Sequence, residues 1–124
     1  MHVYEYATIR LVPRVEREEF INLGVILLCK RLDFLELRYH VRRERVRAFA
    51  PDVSWLFVED YLHSWQRIAR AQADAGTLAD LDAANRFRWL TNSRSTIIQP
   101  SPVRQGLTTQ PAVVLDRLFA EMVW

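Results

Sequence analysis

The segment from Phe20 to Cys29, with the sequence FINLGVILLC, constrains the fold most because it is apolar on both of its alternating faces. A strand with two apolar faces belongs in the middle of a sheet that is covered on both sides. Gly24, inside this segment, predicts a β-bulge or a close approach of another backbone. We therefore predict a central strand with a neighbouring strand on each side.

Two further segments alternate between two faces with the period of a strand. Val3 to Val12 is rich in aromatic and β-branched residues, and Pro13 follows it. Phe34 to Val41 comes after a predicted turn at Lys30–Asp33 and alternates in the same way. Three consecutive strands with short connections form an antiparallel meander. The stretch Ser95–Gln99 predicts a short strand that returns to this sheet.

Helices are predicted mainly after the meander. Asp52 is the expected N-cap of a long amphipathic helix that reaches Ala73 and ends before Gly76. Asp82 should cap a short helix over Ala83–Leu90, and Pro111 suits the first position of a final helix. The expected buried stripe of the long helix follows a spacing of three and four residues: Phe57, Tyr61, Leu62, Trp65, Ile68 and Ala69. The segment 42–50 has helical propensity but little to bury, and its structure stays undecided.

Strands followed by helices, with one late strand, indicate an α+β fold rather than an α/β fold. We predict an antiparallel sheet of three to four strands packed against two to four helices. A chain of 124 residues has the usual length of one domain and can bury a core without disulfides or metals. Residues 1–124 are therefore predicted to form a single domain.

The composition favours a cytoplasmic protein without a membrane segment. Half of the residues are apolar and 26% are charged, which is ordinary for a globular domain. No apolar run reaches the roughly 18 residues that a membrane span requires. The first residues, MHVYEYATIRL, lack the features of a signal peptide, and Cys29 is the single cysteine.

The charges are arranged in blocks along the chain. Residues 38–51 and 83–115 each carry a net charge of +4, and residues 52–82 between them carry −4. These blocks either neutralise one another inside the fold or leave a basic block facing an anionic partner. The sequence shows no recognised nucleic-acid motif around the first basic block, so nucleic-acid binding stays undecided.

The second basic block contains the candidate binding stretch, Arg86–Thr108. No Asp or Glu occurs between Ala83 and Leu115, and hydroxyl side chains are frequent beside the arginines. Guanidinium groups beside hydroxyls suit an anionic group or a carboxylate-bearing partner. The candidate binding residues are Arg86, Arg88, Arg94, Ser95, Thr96 and Arg104.

No arrangement in the sequence points to a catalytic residue, a metal site or a cofactor. Cys29 ends the most apolar strand, where a free cysteine behaves as a small hydrophobic residue. The three histidines have no partner at ligand spacing, and the three glycines form no phosphate-binding loop. The carboxylate pairs Glu18–Glu19 and Glu59–Asp60 are adjacent in sequence, so on a helix their side chains would diverge. An enzymatic function is therefore the less favoured interpretation.

Two segments carry a resemblance to a known family. They are Tyr4–Leu27, YEYATIRLVPRVEREEFINLGVIL, and Arg86–Thr108, RFRWLTNSRSTIIQPSPVRQGLT. Together they resemble the bacterial family known as domain of unknown function 3037 (DUF3037), over nearly the whole chain, with Asn22, Gly24 and Arg94–Gln99 as the matching positions.

The resemblance implies no reaction. It does imply a partner or regulatory role, because such proteins are often encoded beside a HipA-like kinase. Gln110 stands where members of the family often carry an acidic N-cap before the last helix, so helix capping is expected to be weaker here.

Two functions of different classes follow from these observations. The first is a non-catalytic interaction module, such as an accessory of a HipA-like kinase, that uses Arg94 and its neighbours. The second is an enzyme or sensor that binds a phosphorylated small molecule or a nucleic-acid end at the same junction. A flat, partly apolar surface with an exposed tryptophan would favour the first, and a pocket around Arg94 beside a titratable base would favour the second. A competing interpretation gives Arg94 a structural role, paired with the acidic segment 52–82.

Overall fold

The structure, a computed structural model, describes residues 1–124 and contains five strands and four α-helices. The elements in chain order are β1 (His2–Leu11), β2 (Ile21–Cys29), β3 (Phe34–Tyr39), α1 (Arg43–Phe49), α2 (Trp55–Ala69), α3 (Ala83–Thr91), β4 (Ile98–Pro100), β5 (Arg104–Thr108) and α4 (Pro111–Met122). Three 3-10 helices span Val15–Arg17, Lys30–Leu32 and Ala73–Asp80. The predicted α+β class is confirmed, and the sheet has one strand more than the predicted three to four.

The sheet is antiparallel throughout, and its first three strands form the predicted meander. β2 lies between β1 and β3, which confirms its central position. β4 and β5 both pair with the other edge of β1. β4 lies opposite Ile9–Leu11 and β5 lies opposite His2–Tyr6, so the two short strands follow one another along that edge. The late strand predicted over Ser95–Gln99 forms at Ile98–Pro100. β5 was not predicted from the sequence.

A β-bulge interrupts the pairing of β1 with β2. Ile9 lies opposite Gly24, but the next residue, Arg10, lies opposite Asn22, so Leu23 is the extra residue. An extra residue reverses the alternation of all side chains beyond it. Leu23 therefore joins the buried cluster on one face of the sheet, and Asn22 lies on the opposite face, on the same side as Arg10.

Gly24 is required at this bulge because another backbone passes close by. A Cβ atom at this position would lie 2.7 Å from the carbonyl oxygen of Arg38 and 3.0 Å from the Cβ of Tyr39. Both groups belong to β3 and neither can move without disturbing the strand. The predictions of a bulge and of a close backbone approach are both confirmed.

Two buried clusters cover the two faces of the sheet. The larger cluster has 18 residues and joins one face to α2 and α3, with Ile26 and Leu62 among its members. The smaller has 8 residues and joins the other face to α4, through Val25 and Leu118. We call these the α2/α3 face and the α4 face. The helices thus cover β2 on both sides, as its apolar pattern requires.

The start of α2 differs from the prediction. Its N-cap is Ser54, whose Oγ accepts a hydrogen bond from the Phe57 N–H at 3.3 Å, and not Asp52. The reason is a turn just before the helix, in which the Val53 N–H donates to the Ala50 carbonyl at 3.0 Å. Phe57, which was expected in the buried stripe, lies in the first turn of the helix and is half exposed.

The end of α2 also differs, because the helix stops at Ala69 and not just before Gly76. Ala71 adopts a left-handed backbone conformation with φ of 54°, which terminates the helix. The other predicted helix starts are confirmed: Asp82 Oδ1 accepts from the Asn85 N–H at 2.8 Å, and α4 begins at Pro111.

Candidate functional site

The predicted binding stretch lies at the C-terminal end of α3. Phe87 and Leu90 anchor this helix in the core of the α2/α3 face. The helix ends at Thr91 without a glycine, and Asn92 is extended with φ −61° and ψ 138°. The last carbonyl groups of a helix have no partner within the helix. They therefore need donors from elsewhere.

The Arg94 side chain supplies these donors. Its Nη1 donates to the carbonyl oxygens of Leu90 at 2.9 Å and of Asn92 at 3.0 Å. Its Nη2 donates to the carbonyl oxygen of Trp89 at 2.7 Å. A positive charge at a helix C-terminus also interacts favourably with the helix dipole. Arg94 therefore caps α3.

Two indole rings enclose the same guanidinium group. The Cζ atom of Arg94 lies 4.6 Å from the ring centroid of Trp65 and 4.9 Å from that of Trp89, which is the range of cation–π contacts. Burial lowers the pKa of Arg94, but an arginine stays protonated in a protein. Arg94 forms no ion pair with the acidic segment 52–82. It does contact this segment through the indole ring of Trp65.

The Arg94 guanidinium belongs to a longer row of rings. Phe57, Tyr61 and Trp65 lie on one side of α2, with ring centroids 5.9 Å and 5.3 Å apart. Arg94 and Trp89 extend this series beyond Trp65. We call these five residues the aromatic row. Its two ends are accessible, since Phe57 is 50% exposed and Trp89 is 36% exposed.

Ser95 and Thr96 follow Arg94 and are both exposed. The Thr96 Oγ1 donates to the carbonyl of Ile98 at 2.9 Å, and the Gln99 amide donates to the Thr96 carbonyl at 2.7 Å. Ile98 is buried in the core, so these bonds tie the loop to a fixed point. The two hydroxyl-bearing residues therefore lie on a short, anchored connection beside the aromatic row.

The structure separates the remaining predicted arginines. Arg86 donates to the carbonyl of Leu81, and its Nε is buried without a partner. Arg88 is exposed on α3. Arg104 lies on β5 directly opposite Tyr6, so its side chain points to the α4 face of the sheet. Arg104 therefore does not belong to the same surface as the aromatic row.

The first basic block is not neutralised by the acidic segment. Within residues 38–51, the ion pair formed with a carboxylate is that of Arg38 with Asp116. Arg43 instead stacks over the ring of Trp55 at 3.9 Å. The other ion pairs of the protein join Arg17 to Glu19, Arg67 to Asp74, and Arg70 to Glu36. Both +4 blocks thus keep most of their charge.

The other chemically reactive residues are dispersed. Cys29 is fully buried as a free thiol. The Tyr39 hydroxyl lies 3.5 Å from His63 Nδ1. Burial raises the pKa of Tyr39, and the charge of Glu59 contributes. No group of three or more His, Cys, Asp or Glu side chains is placed to hold a metal ion.

The sequence does not reveal the aromatic row as a surface. The four-residue spacing of Phe57, Tyr61 and Trp65 is visible, but it fits a buried stripe equally well. The surface depends on the turn after α3, which brings the Arg94 side chain back to the two indole rings.

A second feature that sequence reasoning missed is Arg10, which lies near Arg104. The sequence could have indicated it, because Arg10 is an arginine on the face of β1 that otherwise carries Tyr4, Tyr6 and Thr8.

These features define a small α+β domain with a cation–aromatic surface on one face of its sheet. The family model described as "Protein of unknown function (DUF3037)" matches residues 6–123, and the chain belongs to this family. No curated protein and no solved structure matched the chain. None of the helices combines the length and apolar character that crossing a membrane requires.

Proposed function

We propose that this chain is a non-catalytic interaction module and that the aromatic row is its partner-binding surface. The observation that carries the proposal is a continuous series of tilted rings, with the Arg94 guanidinium group between the last two, and with two exposed ends. Tryptophan, tyrosine and arginine are the residues that contribute most to binding energy at protein interfaces. The row contains all three types on one surface.

The row is held in place before any partner binds. Trp65 is only 3% exposed and fixes the middle of the row in the core. Arg94 is held by its three bonds to main-chain carbonyls. Side chains that are already ordered lose less conformational entropy when a complex forms. The preordered row therefore supports the proposed function in binding.

The alternative function, recognition of a phosphate at Arg94, has weaker support. Its guanidinium group already donates three hydrogen bonds inside the chain. An anion that took over these donors would leave the end of α3 without its cap. The proposal therefore assigns binding to the ring surfaces, with Arg94 as their support and with Ser95 and Thr96 at the polar rim.

The proposed partner is a protein, and a HipA-like kinase is the first candidate to test, on the family resemblance alone. Arg88, which is exposed beside Trp89, favours a partner with carboxylates around an apolar centre, since complementary charges at a rim improve specificity. A cytoplasmic location is part of the proposal and is supported by the single cysteine, which is a buried thiol.

The test starts with purification of the tagged chain at native expression level and identification of what co-purifies. The affinity for the purified partner is then measured for Phe57→Ser and Trp89→Ala. Each should bind about tenfold more weakly or worse, as truncation of a hot-spot aromatic residue does at other interfaces. Trp124→Ala is the matched control, because Trp124 is 66% exposed and lies beside Phe119 of α4.

The control should change the affinity by no more than about twofold, as residues outside an interface centre do. Equal losses in Trp89→Ala and Trp124→Ala would contradict the assignment, and so would unchanged binding in both variants of the row. Circular dichroism and thermal unfolding of each variant are needed because Trp89 also stacks on Arg94.

A further inference from the structure

A second surface with binding chemistry lies on the α4 face, on the other side of the sheet from the aromatic row. It is a groove of about 260 Å³ beside the end of α4. Pockets for drug-sized ligands usually measure about 300–1,000 Å³, so this groove suits a smaller molecule. The residues that define its chemistry are Thr8, Arg10, Phe20, Asn22, Arg104 and Met122.

The groove exists because α4 covers only part of its face. The helix packs on Val25 and Leu27 and ends at Met122, which forms one wall of the groove. The bulge in β2 turns Asn22 toward the same side. The Nδ2 of Asn22 donates to the carbonyl of Met122 at 3.1 Å, which joins the start of β2 to the end of the helix.

Two cations meet in this groove without an anion. Arg10 projects from β1, and Arg104 lies on β5 opposite Tyr6, so both side chains lie on the α4 face. None of the residues that line the groove is acidic, and neither arginine forms an ion pair within the chain. The pKa of Arg10 is lowered by burial and by the charge of Arg104. An anion bound between the two guanidinium groups would offset their electrostatic repulsion.

Arg10 is positioned by its neighbours. Its guanidinium carbon lies 4.0 Å from the ring centroid of Phe20, in a cation–π contact. Its Nε is buried without a hydrogen-bond partner, and so is the Oδ1 of Asn22, the residue directly opposite across the β1–β2 pair. Neither atom is accessible to a ligand, so Arg10 is available through its outer guanidinium nitrogens, which Phe20 holds at the groove.

We infer that this groove binds the phosphate group of a small phosphate monoester between the guanidinium groups of Arg10 and Arg104. Two unpaired positive charges match a group that carries about two negative charges at neutral pH. Planar guanidinium groups bind phosphate oxygens in a bidentate manner. Phe20 and Met122 supply an apolar wall for the organic part of the molecule, which inorganic phosphate lacks.

The probe for the test is phenyl phosphate, titrated into the full chain and followed by amide chemical shifts in NMR spectra. Saturable shifts are expected at residues of β1, β5 and the end of α4. Arg104→Gln should weaken binding by about tenfold to a hundredfold, the range for loss of a charge-assisted hydrogen bond. Arg104 is exposed on an edge strand, so this variant should fold.

Arg31→Gln is the matched control, because it removes the same charge from an exposed residue at the other end of β2. It should leave the affinity within about twofold of the parent chain, as expected for a distant screened charge. Arg10→Lys gives a second variant in the groove that keeps the charge and loses the planar fork, and it should weaken binding as well.

Phenyl sulfate and inorganic phosphate distinguish the ligand classes. Phenyl sulfate carries one negative charge and should bind more weakly, and inorganic phosphate should bind more weakly because it cannot use the apolar wall. The proposal is overturned if phenyl phosphate gives no saturable shift at millimolar concentration. It is also overturned if Arg31→Gln weakens binding as much as Arg104→Gln, or if either comparison anion binds as tightly as phenyl phosphate.

Discussion

Replacing Arg94 by alanine should destabilise the fold because this side chain closes α3. The substitution leaves the carbonyls of Trp89, Leu90 and Asn92 without their side-chain donor. It also removes the cation that lies between the indoles of Trp65 and Trp89. The perturbation therefore affects both the end of a helix and its contact with α2.

The size of the effect can be worked out from these contacts. The three carbonyls lie near the surface and water can replace part of the lost hydrogen bonding, so each bond contributes about 0.5–1 kcal/mol. The cation–π contacts add about 0.5–1 kcal/mol together at a partly exposed site. Because these contributions are not additive, we expect Arg94→Ala to lower the free energy of unfolding by about 2–3 kcal/mol.

Arg94→Lys should cost about half as much, roughly 1–2 kcal/mol, because lysine keeps the charge but not the planar fork. Arg88→Ala is the matched control: it removes an exposed arginine from the same helix and should change stability by less than about 0.5 kcal/mol. The order Arg88→Ala, Arg94→Lys, Arg94→Ala thus separates the capping role from a general effect of charge.

Urea unfolding followed by far-UV circular dichroism is the suitable assay. Tryptophan fluorescence is less suitable, since two of the four tryptophans contact Arg94 and would alter the baseline themselves. In a thermal scan the alanine variant should lose about 10 °C. If Arg94→Ala proves no less stable than Arg88→Ala, the guanidinium group does not cap α3 in solution and the argument for a preformed row fails.

Three further outcomes are expected. Cys29→Ala should lower the free energy of unfolding by only about 1–2 kcal/mol, as a small cavity does, and a much larger loss in urea unfolding would show that the thiol has another role. Gly24→Ala should cost about 2–3 kcal/mol by the same measurement, because its methyl group would meet the Arg38 carbonyl. Tyr39→Phe tests stability at alkaline pH, because burial raises the pKa of Tyr39 in the folded chain. The protonated Tyr39 side chain contributes fully to the free energy of unfolding below the ordinary tyrosine pKa of about 10, and this contribution is lost as the pH rises further. The Phe variant should therefore lose less stability than the parent in thermal scans above that pH, and an identical loss would contradict the assignment.

Features set by local chemistry could be predicted from the sequence. The central place of β2 follows from its two apolar faces, and the bulge follows from Gly24. Asp82 and Pro111 mark the starts of their helices because caps and first-turn prolines act within a few residues. Asp52 and Ser54 are both good N-cap residues, and the turn before α2 leaves Ser54 as the N-cap.

Features set by distant contacts could not be predicted. β5 has the sequence RQGLT, and Leu107 within it is 61% exposed, so it lacks the alternating pattern of a half-buried strand. It forms because Gly106 lets β5 approach the ring of Tyr4, where a Cβ atom would collide. The partners of Arg94 are equally hidden, because main-chain carbonyls leave no trace in a pattern of side chains.

The two proposed surfaces are open for different structural reasons. α3 ends without a glycine and recruits Arg94 as its cap, which places a cation among rings that α2 presents at the surface. On the opposite face, α4 stops at Met122 while β1 continues, and the bulge brings Asn22 beside Arg10 in the uncovered part. The surfaces share no residue and are separated by the sheet. Substitutions far apart with no common partner usually have additive effects, so binding at the aromatic row and binding between Arg10 and Arg104 should be thermodynamically independent.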